Sequence, residues 1–364
     1  MFNFKNYLNW PVAAAFLGAA SLLASCDSAI YEDLPICENS RHAVRFVWDN
    51  NMLSSDAFRG NVHSVAVYGF DADDKLAFVL EENGDALKMQ GYTLAIDVPD
   101  LKAGEYTLVA WCGLDNSLED ATRGESFVLS DVEIGKTTRE ELICRMEREV
   151  QADGTHHSSE QLFDLFHGTA YGIEIFDKDD KENAGDHIYQ INLTKDTNNV
   201  RIMLQQMNKD VKVDDFSFLI EDANGLLGPD NELQDDEIIN YEPFNTAEGV
   251  AGTVEGTTRA DGAIEGLGVA IADLKMSRLM ARHESVLTIR NSDGSRVLQI
   301  PLTNYALLAK PYDAEGFTDQ EYLDRQDNYR LMFFLDSQGE WFSSQINING
   351  WTIVNQDSQL NKDY

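Results

Sequence analysis

The sequence predicts an all-β protein made of two β-sandwiches in tandem, and three observations carry that reading. Apolar and polar residues alternate with period two, as where Val44, Phe46 and Trp48 bracket Arg45, the pattern of a strand with one buried face. Short runs of this kind recur, separated by turn-forming residues, which favours sandwiches over alternating strand and helix units. The 364 residues provide room for two domains with ample cores. The polar stretch 177–186 (DKDDKENAGD) interrupts the pattern, so the domains are expected at 41–180 and 181–364.

Residues 1–25 read as a lipoprotein signal peptide. Lys5 precedes the uncharged run 10–25 (WPVAAAFLGAASLLAS), which is shorter than the about 20 apolar residues of a membrane-spanning helix. The run closes in Leu23-Ala24-Ser25-Cys26, which resembles a bacterial lipobox. Cys26 is therefore the expected lipidation site and the first residue of the mature chain. Its acyl chains, palmitate among them, at about 0.8 kcal/mol per buried methylene, would hold the protein on a membrane without spanning it. Asp27, Glu32 and Asp33 resemble the export signals that carry some Bacteroidota lipoproteins to the outer face. Residues 26–40 then form a lipidated tether.

The first sandwich is expected to use strands at 44–48, 62–70 and 76–80, with Asp71-Ala72-Asp73-Asp74 as a hairpin tip. Leu94, Ile96 and Val98 are paired with the run 106–111 as a second hairpin, through the turn 99–104 (PDLKAG). A strand at 126–134 follows. Residues 138–150 fit both a helix face, with a capping box at Thr138 and Glu141, and a strand in which Leu142, Cys144 and Met146 alternate; strand is favoured. The apolar segment 161–168 (QLFDLFHG) closes in a glycine.

Strands of the second sandwich are expected at 188–193, 200–204, 216–221, 285–290 and 296–301. Thr318 and Glu321 have capping-box spacing and should open a helical turn carrying Tyr322 and Leu323. Residues 329–335 (YRLMFFL) then read as a buried strand, 336–339 as a turn and 341–348 as its partner. Asn349-Gly350 is the signal of a type I′ turn before a last strand, Trp351 to Val354.

Charge removes several functions. The chain has 63 Asp and Glu against 28 Lys and Arg, a formal charge of −35, so a cationic nucleic-acid surface is excluded. Loss of residues 1–25 removes only Lys5, giving 27 − 63 = −36. No metal or other cofactor is expected. The cysteines left after Cys26, at Cys37, Cys112 and Cys144, lack zinc-site spacing; they fit one disulfide or buried thiols equally well. His156-His157 lies in a polar stretch read as a solvated loop, and His283-Glu284 lacks the second histidine of a zincin helix. Leu76 stands where a calcium loop from Asp71 would need glycine. There is no nucleophile elbow, P-loop or dinucleotide fingerprint, and the chain is expected not to be an enzyme.

Several segments together resemble the FimB-type fimbrial anchor lipoproteins of Bacteroidota. They are the lipidated cysteine followed by 31–37 (YEDLPIC), then 108–111 (LVAW), 165–168 (LFHG) and 193–201 (LTKDTNNVR). They continue with 300–302 (IPL) and Tyr305, 320–329 (QEYLDRQDNY) and 349–351 (NGW). Cys112 and Lys195 depart from the family pattern, where a small residue and arginine are usual. The resemblance implies two transthyretin-like sandwiches and a lipid-anchored, surface-exposed protein of the outer membrane. It further implies a role in adhesion, holding the base of a fimbrium, limiting its length and joining fimbrial subunits by strand addition.

Fibre-forming relatives lose an N-terminal strand to an Arg- or Lys-specific protease. Here no Lys or Arg occurs from Cys26 to Ser40, and Arg41 is the first. The strand around 44–48 is thus expected to stay in place and close this subunit's own groove, with 351–354 as a candidate donor strand. The alternative is a surface glycan-binding lipoprotein using Trp48, Trp111, Trp341 and Trp351 as aromatic platforms, although each lies in an expected strand and suits a core.

Overall fold

The computed structural model describes residues 39–115, 120, 122–206, 210–251, 267–311 and 316–354. Cys26, Cys37, the expected signal peptide and residues 26–38 of the tether lie outside them. Among the described residues no helix is long and apolar enough to cross a membrane.

The fold class is all-β. The first strands are β1 (Ser40–Val47), β2 (Ser64–Phe70), β3 (Leu76–Asn83), β4 (Thr93–Ala95) and β5 (Gly104–Cys112). Short strands β6 (Phe127–Leu129), β7 (Cys144–Met146), β8 (Glu149–Val150) and β9 (His156–Ser158) precede β10 (Phe166–Ile175), β11 (Gly185–Asn192) and β12 (Thr194–Lys195). Then come β13 (Thr197–Gln206), β14 (Phe216–Asp222), β15 (Leu226–Leu227), β16 (Ile239–Tyr241), β17 (Asn245–Ala251) and β18 (Leu267–Ser277). The described residues end through β19 (Val286–Asn291), β20 (Arg296–Pro301), β21 (Asn328–Leu335), β22 (Trp341–Ile348) and β23 (Trp351–Val354). Among the described residues four short helices punctuate this order: α1 (Phe58–Asn61), α2 (Gly84–Met89), α3 (Leu302–Leu307) and α4 (Asp319–Arg325).

One sandwich sets β11-β1-β4 against β12-β10-β5-β2-β3, around Val44, Phe46, Trp48, Val67, Leu108 and Phe166. The other joins β17-β18-β13-β21-β22-β23 to β20-β19-β14-β16-β9-β8, around Ile202, Ile220, Leu274, Ile289, Leu331 and Phe333. A small sheet, β15-β7-β6, lies between them. It covers the second face of the five-stranded sheet, so Phe127, Leu142 and Cys144 share a core with Ala66, Tyr68, Val109 and Trp111. Burial on both faces explains why β2 (SVAVYGF) is an unbroken buried run.

Pairing crosses residue 180 in both directions. The strand just after it, β11, runs parallel to β1, while β7 and β9, before it, pair with β15 and β16. The turn 99–104 does not close a hairpin: β4 pairs with β1, and β5 with β2 and β10, in the other sheet. Alternation identified both strands but carries no information about their partners. The expected strand 126–134 is regular only over β6.

Residues 138–150 satisfy both readings in succession. The Thr138–Glu141 capping box closes a single 3₁₀ turn, after which Leu142, Cys144 and Met146 point into the core. His156 and His157 are half-buried in β9 and are not loop residues; parallel pairing with β16 orders a polar segment that has no strand signal of its own. The C-terminal meander follows the sequence: α4 carries buried Tyr322 and Leu323 behind its capping box, and Asn349 and Gly350 turn with φ of 52° and 87°.

Candidate functional site: the first strand, the joint and the last strand

β1 is the middle strand of its sheet. It runs parallel to β11 from Ser40 to Val47 and antiparallel to β4 from Ala43 to Arg45. Val44, Phe46 and Trp48 are 0–2% exposed, each contributing about 1.5–3 kcal/mol of apolar burial. Phe46 stacks on Phe58 with centroids 5.6 Å apart, and Trp48 meets Phe166 edge-on at 5.0 Å. Bonds from Ile96 N to His42 O (2.8 Å), Leu193 N to Val47 O (2.8 Å) and Ala57 N to Trp48 O (2.9 Å) continue the seat beyond the ladder. Arg41 and Arg45 point outward, and Arg41 pairs with Asp186 at 2.8 Å.

Behind this seat is a joint of buried charge that brings together segments 193–201 and 320–329. Lys195 Nζ lies 2.9 Å from Asp164 and 2.8 Å from Asp327, and Lys275 Nζ lies 2.7 Å from Asp164. Burial alone would raise the Asp164 pKa, but the two ammoniums outweigh it and hold it at about 2. Arg278 forks onto Asp324 (2.8 and 2.9 Å), and Asn231 donates to Asp196 at 2.9 Å. Burial pushes Asp196 up to about 7, against the pull of Arg278 and Asn231. Leu279 N donates to Asn198 Oδ1 and Asn199 N to the Asp327 carbonyl. Arg325 reaches Asp49 O at 2.9 Å, tying α4 to the residues just after β1. Lys195, where the resemblance leads one to expect arginine, thus pairs with two carboxylates at once.

The last strand is an edge. Among the described residues β23 pairs only with β22, and Trp351 is 64% exposed while Phe342 on β22 is 49% exposed. Trp48 and Trp111 are buried, and Trp341 packs half-buried on the core. Trp351 therefore departs from the core reading, because nothing among the described residues lies beyond β23 to cover it. Cys112 and Cys144 are buried and unbonded, and burial raises both thiol pKa values. His283 sits 2.8 Å from Asp222, and among the described residues no three His, Cys, Asp or Glu side chains converge as metal ligands.

A family model described as fimbrillin-A associated anchor proteins Mfa1 and Mfa2 matches residues 34–357. Two solved structures from Bacteroides thetaiotaomicron are similar at 29% identity. One, described as putative polysaccharide binding proteins, has a TM-score of 0.68 over 87% of this chain and 99% of its own. The other, a putative adhesin, has a TM-score of 0.72 over 88% and 99%. The fimbrial anchor protein Mfa2 from Porphyromonas gingivalis shares the fold at 17% identity, with a TM-score of 0.60 over 87% and 99%. No curated protein sequence matches. With every described residue inside the family match, the chain belongs to the fimbrillin-A associated anchor proteins.

Proposed function

We propose that this chain is the outer-membrane base of a fimbrium, acylated at Cys26, facing outward, and joined to a fibre subunit by strand addition. Membership of a family of anchor proteins, a non-enzymatic kind, supports a role with fimbriae at the cell surface. The observation that carries the finer reading is the seat of β1. A strand held between β11 and β4 with its apolar side chains buried leaves no gap there for a neighbour's strand, so growth of the fibre on that side stops. The edge β23, with Trp351 beside it, has a row of backbone groups to offer a partner.

Cys26→Ala followed by fractionation tests the anchor: fimbriae should be shed into the medium, and fibres still bound to cells would overturn it. Deleting 351–354 should abolish co-purification with a fibre subunit, and retained co-purification would remove β23 as the contact. Exposure of Trp351 keeps glycan binding as a second reading, which array binding in the absence of every fimbrial protein would favour.

A further inference from the structure

His42 sits on β1 directly opposite His187 of β11, and its hydrogen bonds form a chain with one direction. The Phe176 N–H donates to His42 Nε2 at 3.1 Å, so that nitrogen must present a lone pair. The proton is then on Nδ1, which lies 3.0 Å from the Tyr189 hydroxyl. The Tyr189 hydroxyl donates to the Glu174 carbonyl, so its oxygen is left to accept from His42. The Phe176 link requires a neutral imidazole, because a protonated Nε2 has no lone pair to accept with. A second proton on Nε2 would face the Phe176 N–H, donor against donor.

On balance the surroundings disfavour an imidazolium. His42 is 8% exposed, with the His187 ring stacked at 5.0 Å and Tyr189 at 5.9 Å. His187 directs Nε2 at the Asn183 carbonyl, 2.8 Å away. On the other side β4 leads into Ile96, whose amide holds the His42 carbonyl, and then Asp97. The nearest ions along the two strands, Arg41 and Asp186, pair with each other at the surface. Lys178 contributes its carbonyl to the Ser40 amide. Burial, and after it His187, hold the His42 pKa below its ordinary value and outweigh the opposing backbone contribution of Phe176.

We propose that His42 is an acid-sensitive latch on the first half of β1, whose protonation loosens residues 40–43 from β11 and β4. This rests on the reading of β1 as the strand that fills the subunit's groove and deepens it by naming what regulates the filling. The apolar half, from Val44 to Trp48, has no titratable core group and stays seated. Acid therefore lengthens the tether by a few residues and bares the matching edge of β11. The sign follows from the depressed pKa. Above about pH 6.5 the closed and open strands both carry neutral His42 and the latch is at full strength. As pH falls below that value the open strand takes up a proton that the closed strand refuses, favouring opening by up to about tenfold per pH unit.

Hydrogen exchange of the full mature chain, read by mass spectrometry from pH 7.5 to 5 and corrected for intrinsic rates, tests this. Protection of the amides at 41–44 should fall up to about tenfold per unit below pH 6.5 while β13 keeps its protection, and His42→Gln should flatten the fall. Unchanged protection at pH 5, an equal loss in β13, or the same slope in His42→Gln would each overturn the latch. Should His42→Gln not fold, Tyr189→Phe is the second variant, expected to weaken β1 protection already at pH 7.5; full protection there would also overturn it. No fimbrial partner enters this assay, so its failure leaves the anchoring reading to stand or fall by fractionation.

Discussion

Replacing Lys195 with Met tests whether the joint depends on its buried charges. Lys195 is 6% exposed and bridges Asp164 and Asp327 at 2.9 and 2.8 Å. Methionine keeps most of the side-chain volume, so packing changes little and the cost is mainly electrostatic. Asp164 retains Lys275 at 2.7 Å, but Asp327, 9% exposed, loses its cation. Breaking a buried pair from one side costs about 3–5 kcal/mol, because the remaining charge is uncompensated. In thermal unfolding followed by circular dichroism that corresponds to a fall of roughly 6–20 °C. Adding Asp327→Asn should recover part of the loss, since it removes the stranded charge. In the wild type Asp164, held at about 2, contributes stability that disappears as pH drops from its ordinary 3.8; with one cation gone its folded pKa moves back toward 3.8, so the acid-induced loss from this group should be smaller and should end at a higher pH. A single variant costing under about 1 kcal/mol, or a double variant no better than the single, would refute the view of the joint as an ionic clamp.

Gly168 is the closing glycine of 165–168, and a Cβ there would sit 2.5 Å from the Asn192 carbonyl oxygen. Gly168→Ala should therefore force β10 and β11 apart at a cost of about 1–3 kcal/mol, read as a lowered urea midpoint. Thr318→Ala removes the cap whose hydroxyl accepts from Glu321 N at 3.1 Å and should cost about 1 kcal/mol; an unchanged midpoint would contradict the capping assignment. Two buried groups should oppose each other on acidification. His167, driven by burial to about 3, loses stability as pH falls from 6.5 towards 3, up to about 4–5 kcal/mol. Asp196, raised by burial to about 7, gains a similar amount from pH 7 down to 3.8, so His167→Gln should become more stable between pH 7 and 4 and Asp196→Asn less stable.

Strands such as β2, β13 and β21 were legible in the sequence from their apolar runs or alternation, whereas β10 beyond Gly168, β17 and β18 were not expected. The run 329–335 and the Asn349-Gly350 turn are local signals, and the structure follows them. β18 escaped because its inward residues include the small Ala270 and Ala272 while Asp273 and Lys275 sit on its other face; charges buried in the joint look like a solvated face. The partners of Lys195 were equally hidden. Asp327 lies 132 residues away, so 193–201 and 320–329 stood out as family segments with no visible reason to occur together. Their meeting in the joint supplies that reason. His42 was not singled out either: the expected strand starts at Val44, so this residue fell outside it although it shares the inward register of Val44, Phe46 and Trp48.

The interruption at 177–186 suggested where one sandwich ends, yet the pairing gives that stretch a different meaning. It connects β10 to β11, and so links the two sheets of the first sandwich. A fragment ending at residue 180 would lose β11, the parallel partner of β1 along its whole length. It would also lose β15, β16 and the rest of the second sandwich, which complete the cover over Tyr68, Val109 and Trp111. Each of those large side chains returns about 1.5–3 kcal/mol to solvent when uncovered, against a total folding stability of only about 5–15 kcal/mol. The fragment 26–180 should therefore lack cooperative unfolding and bind a hydrophobic dye. A fragment extended to residue 195 regains β11 and β12 and leaves only the second face bare. If the shorter fragment unfolds cooperatively near the temperature of the intact chain, the five-stranded sheet does not need its second cover, and the joint couples two units that are each stable alone.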